Sequence, residues 1–158
     1  MGGSSKELAQ LAASPEFRLT LYDALGHLPA PRLEYGSLLR DLFERELRYR
    51  LGDDESDDHA YFENIYFCGL LLYELGSPDD LELLCRAKFC RDMDLGMGFD
   101  VQFLVGAGVE TTLRYLAQRP EAWAATAFSY LQRCKEADDL SWLADWRRAK
   151  RAYFGLDS

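Results

Sequence analysis

The residues best suited to chemistry lie close together. Asp92, Asp94 and Asp100 fall within nine positions, and Glu110 follows. Carboxylates spaced in this way could hold a metal or a phosphate, or share general acid–base work. An EF-hand calcium loop needs oxygen ligands at positions 1, 3 and 5, glycine at 6 and glutamate at 12. Counted from Asp92, position 3 is Asp94, but position 5 is Gly96, position 6 is Met97 and position 12 is Phe103, so the match fails. Gly96, Gly98, Gly106 and Gly108 raise the idea of a phosphate loop, yet no strand precedes them and no Walker lysine follows. Gly106 and Gly108 fit better as small residues inside a helix, where they let a neighbouring backbone come close.

Other reactive residues form no constellation. The four cysteines, Cys68, Cys85, Cys90 and Cys134, include no CxxC pair, and only His27 and His59 could join them. Cys85 and Cys90 would need a second His/Cys pair to bind zinc, and none is spaced for it. Buried, reduced thiols are the expectation. His27 follows Gly26 and reads as a helix C-cap, while His59 stands at a helix start. There is no nucleophile elbow and no His-Glu-x-x-His. No catalytic residue, cofactor or metal is therefore assigned. An enzyme working through Asp92, Asp94, Asp100 and Glu110 remains the alternative.

Charge gives a stronger indication. The 158 residues carry 27 acidic and 18 basic side chains, a net charge of −9, with a sequence pI near 4.7. A phosphate backbone or an anionic membrane surface would be repelled, so neither nucleic acid nor membrane is expected as a partner. Five of the six residues 53–58 are acidic. The candidate partner-binding acids are Asp53, Asp54, Glu55, Asp57, Asp58, Asp79, Asp80, Glu82, Asp92 and Asp94, facing a basic protein. The longest apolar run, Phe67 to Tyr73, is far below the ~20 residues that span a bilayer. With no signal-peptide pattern at the N-terminus, a cytoplasmic location is expected.

These residues must be positioned by helices. A 48 % hydrophobic share supports a sizeable core, and no run alternates in the manner of a strand. Ser14-Pro15 opens a first helix in which Phe17, Leu21 and Leu25 share a face, and Gly26 ends it. A second, over 32–51, sets Leu38, Leu39, Leu42, Phe43 and Leu47 against Arg40, Glu44, Glu46 and Arg48. A third, over 57–75, is apolar nearly all round and is expected at the centre. Ser77-Pro78 opens 81–89, Asp100 caps a helix to 118, Pro120 starts another to 134, and Asp138 or Asp139 caps the last. In that last helix Trp142, Trp146 and Tyr153 form a stripe expected to pack inward. Its Arg147, Arg148, Lys150 and Arg151 are expected to pair with acids. The expectation is a single all-α domain over 1–158, with residues 1–5 disordered and about seven helices. They would form an orthogonal bundle or, given a faint echo between 21–26 and 72–76, a HEAT-like stack or scaffold.

Residues 86–116 resemble a string found in small bacterial helical proteins. Arg86-Ala87-Lys88 is followed by Asp100-Val101-Gln102, Gly106-Ala107-Gly108-Val109-Glu110, Thr112 and Tyr115-Leu116. The resemblance implies a stand-alone binding protein, and some similar small acidic proteins serve as immunity partners of bacterial toxins. It transfers no catalytic residue.

Overall fold

The computed structural model describes residues 3–29, 33–52 and 59–157. Among these the chain is all-α, with no strand. Its helices are α1 (Gly3–Ala12), α2 (Pro15–Gly26), α3 (Gly36–Arg50), α4 (Asn64–Leu75), α5 (Leu81–Lys88), α6 (Met93–Gly98), α7 (Val109–Ala117), α8 (Ala122–Glu136) and α9 (Leu143–Tyr153). Short 3₁₀ turns at Leu33–Tyr35, His59–Tyr61, Pro78–Asp80 and Val101–Val105 link several of them.

Two helices exceed the sequence expectation. α1 starts at Gly3, where disorder was expected over 1–5. Its last carbonyls are taken by Arg18, whose Nη1 donates to Ala12 O at 2.9 Å and Ala13 O at 3.2 Å. α6 forms in the glycine-bearing stretch because Asp92 caps it, accepting from Leu95 N at 2.9 Å, and because Leu95 is fully buried.

The centre is α4, as its apolar circumference requires. Ile65, Phe67, Cys68, Leu70, Leu71 and Leu72 are buried against α2, α3 and the 101–105 turn. Ser14 Oγ accepts from Phe17 N at 3.3 Å and caps α2 as expected, whereas Ser77 Oγ accepts from Asp79 N at 3.3 Å and caps the 3₁₀ turn 78–80 that leads into α5.

The inner face of α2 differs from the hydrophobic reading. Arg18, Tyr22 and Gly26 are buried, while Phe17, Leu21 and Leu25 are half-buried. Glu46, expected on the solvent face of α3, is also buried. One interaction accounts for both shifts. Arg18 donates to Glu46 through Nε at 2.5 Å and Nη2 at 3.3 Å, Tyr22 OH donates at 2.7 Å, and Asn64 Nδ2 lies at 3.4 Å. Asn64 also donates to Pro15 O at 3.0 Å. The network joins α1, α2, α3 and α4 in one register.

The expected helix 100–118 is broken. Residues 101–105 are 3₁₀, and α7 starts only at 109. The glycines lie between the two elements and not within a helix. A Cβ on Gly106 would sit 2.3 Å from Tyr73 O, so this backbone does approach α4 as closely as the sequence suggested. Gly108 has φ +98, a conformation that side chains disfavour and that no α-helix continues through.

Asp138 and Asp139 end α8 and do not begin α9. Asp138 takes φ +68, and Asp139 N returns to Cys134 O at 2.9 Å, a Schellman closure.

Candidate functional site

The candidate partner-binding acids separate by position. Asp53, Asp54, Glu55, Asp57 and Asp58 lie outside the described residues. Asp79, Glu82 and Asp94 are exposed. Asp92 is half-buried and engaged as the α6 cap. Asp80 is a correction to the surface set: its side chain is fully buried and receives a hydrogen bond from Arg40 Nε. Asp80 Oδ2 has no hydrogen-bond partner among the described residues. Burial raises the Asp80 pKa above its ordinary value, against the lowering influence of Arg40.

The carboxylates of the alternative enzyme do not converge. Asp92 caps α6. Asp100 Oδ2 accepts from Trp146 Nε1 at 2.9 Å and pairs with Lys150 Nζ at 2.7 Å. Glu110 pairs with Lys135 at 2.5 Å on α8. Asp94 stands exposed in the first turn of α6. Among the described residues no three His, Cys, Asp or Glu side chains gather closely enough to hold a metal ion.

The basic cluster of α9 is paired with acids, as its composition suggested. Arg147 reaches Glu74 Oε2 at 2.5 Å, Arg151 reaches Glu74 Oε1 at 2.6 Å and Asp157 at 2.9 Å, and Arg148 reaches Asp145 at 2.8 Å. A cleft of about 610 Å³ opens beside this cluster, between Leu28, Pro29, Ala144 and the arginines. The side chain of Glu74 is only 1 % exposed, so two guanidinium groups share one buried carboxylate. The arginines act here as a clamp that fastens α9. Its aromatic stripe is only partly inward. Trp146 packs edge-on to Tyr73 and Phe103 at 5.0 Å, whereas Trp142 and Tyr153 are 67 % and 63 % exposed.

A second opening is chemically different. Between α5 and α8, Glu82, Cys85, Arg86 and Phe89 face Trp123 and Thr126 across a groove of about 380 Å³. Glu82, Cys85 and Arg86 of α5 and its C-cap Phe89 are spaced i, i+3, i+4, i+7, and the α8 residues are spaced i, i+3. Cys85 is buried, and burial pushes its thiol up to about 12. Phe89 is 38 % exposed, its ring held edge-on against Tyr130 at 5.3 Å. Arg86 is occupied by Glu44 at 3.0 Å. Sequence reasoning found Glu82 on this rim but missed Phe89 and Trp123. Apolar residues at helical spacing carry no mark that separates a groove wall from core.

No helix among the described residues is long and apolar enough to cross a membrane. Comparison with protein families, curated proteins and solved structures finds no match to this chain.

Proposed function

We propose that the chain is an acidic protein-binding module whose partner is a cationic protein, and that its setting is the neutralisation of a bacterial toxin, as an immunity protein. The observation that carries this reading is where the positive charges go. Arg18, Arg40, Arg86, Arg119, Lys135, Arg147, Arg148, Lys150 and Arg151 are each engaged with a carboxylate of the same chain. Each pair also uses a carboxylate, so the net −9 falls on the rest of the chain, where acids such as the exposed Asp79, Glu82 and Asp94 and the run 53–58 outnumber cations such as Arg48, Arg91 and Arg114. An exterior of this sign steers a cationic partner and repels nucleic acid. Toxins that handle nucleic acids or nucleotides need positive surfaces to hold phosphate, which makes them fitting partners. The resemblance of residues 86–116 to small bacterial helical proteins points the same way.

The bundle is read as closed, in preference to a HEAT-like stack. Leu156 packs on Gly26, and Phe154 stacks on Phe67 at 4.5 Å, so the C-terminal end lies against α2 and α4. In a solenoid each repeat meets only its neighbours. This disfavours the scaffold alternative, just as the scattered carboxylates of 92–110 disfavour the enzyme.

Co-purification with the product of a toxin-domain gene next to its own tests the assignment. A complex that dissociates as salt is raised supports it. The absence of a complex at low salt removes it.

A further inference from the structure

Resting on that charge reading, we infer that the α5–α8 groove receives an apolar side chain presented by a cationic amphipathic segment of the protein partner. The groove holds ordered aromatic walls. Phe89 is fixed against Tyr130 yet keeps part of its ring in water, and Trp123 is half-buried opposite it. Aromatic surface that is already ordered loses little freedom on binding, which is why such residues dominate interface energies.

On α6, which packs on α5, Met93 and Met97 stand one turn apart and are 74 % and 79 % exposed. Methionine adapts to varied apolar contacts.

The rim selects the sign of the partner. Arg86 is neutralised by Glu44, which leaves Glu82 as the unbalanced charge of the lining, with Asp79 exposed three residues earlier in the chain. An occupant with acids beside its anchor would meet like charge. One with Lys or Arg beside a leucine or aromatic anchor would match both wall and rim. A helix laid along the groove supplies that pattern at i, i+3, i+4 and i+7.

The test uses the full chain and three synthetic amphipathic helical peptides: leucine face with lysine flanks, serine face with lysine flanks, and leucine face with glutamate flanks. Binding is read by titration, and the site by the indole NH resonances, with Trp142 and Trp146 as internal controls. The lysine–leucine peptide is expected to bind and to shift the Trp123 indole alone. About tenfold losses are expected for the serine-faced peptide, for the glutamate-flanked peptide, and for the chain variants Phe89→Ser and Thr126→Arg. Thr126 is exposed, so its variant keeps the test valid should Phe89→Ser fail to fold. If the lysine–leucine peptide binds but leaves Trp123 and both variants unaffected, the groove assignment falls while the charge reading stands. If the glutamate-flanked peptide binds equally well, the cationic part falls. If neither lysine peptide binds at low salt, both readings fall.

Discussion

Glu46 is the residue on which α2, α3 and α4 converge, and its chemistry is saturated: Arg18, Tyr22 and Asn64 all direct hydrogen-bond donors at it. Losing one partner of a buried ion pair strands the other, at about 3–5 kcal/mol. Glu46→Gln should lower unfolding free energy by that order in a denaturant titration. The paired change Arg18→Met with Glu46→Leu should recover most of it, because it leaves no stranded charge. A loss under about 1 kcal/mol for Glu46→Gln would contradict the assignment of this network.

Asp80 makes a different prediction at the same scale. Its pKa is raised by burial, so folding takes up a proton. Its contribution to stability is present at low pH and is lost as pH rises from the ordinary carboxylate value through the raised one. The wild type should therefore shed stability over that window relative to Asp80→Asn, when denaturant midpoints of the two proteins are compared across pH. Parallel curves would show that Asp80 does not titrate in this way. Cys85, with its thiol pushed up to about 12, should resist iodoacetamide at pH 8 in the folded chain and react once unfolded, as mass spectrometry would show.

Among the elements, what was legible in the sequence was local chemistry. Ser14, Ser77 and Gly76 mark helix ends because a cap is satisfied within a few residues of itself. What stayed hidden depends on contacts distant in the chain. The break at Gly106 is set by Tyr73, and the rotation of α2 onto Arg18 is set by Glu46, 28 residues away. Hydrophobic spacing alone favours Phe17, Leu21 and Leu25, since it ranks an arginine as solvent-facing. The acids of the candidate surface were readable by type, but the burial of Asp80 was not, because it depends on Arg40, 40 residues distant. Gly106→Ala should destabilise the chain by about 1–3 kcal/mol, because the new Cβ drives α4 and the 101–105 turn apart. The fastening of α9 is also an element-scale matter. Glu74→Gln should loosen this helix, seen as faster amide exchange across 143–153 with little change in α3 and α4. Uniform change across the chain would show that α9 does not open on its own.

At the scale of the whole molecule, half of the 18 Lys and Arg side chains are held in ion pairs among the described residues, and acids such as Asp79, Glu82 and Asp94 stand exposed near the α5–α8 groove in sequence. The pairs along Glu74, Asp100 and Glu110 position helices, each cancelling one acid's charge against a cation of the same chain. Composition carries the sign of the molecule while residue spacing names no site, because sign is a property of the sum and the groove is a property of how α5 meets α8. Where a toxin-domain gene adjoins this one, the most direct test is the association rate with its product, followed by stopped flow as salt is raised. The account predicts a rate that falls steeply with ionic strength and that drops further when Asp79, Glu82 and Asp94 are neutralised together. A rate indifferent to both salt and those three acids would contradict it.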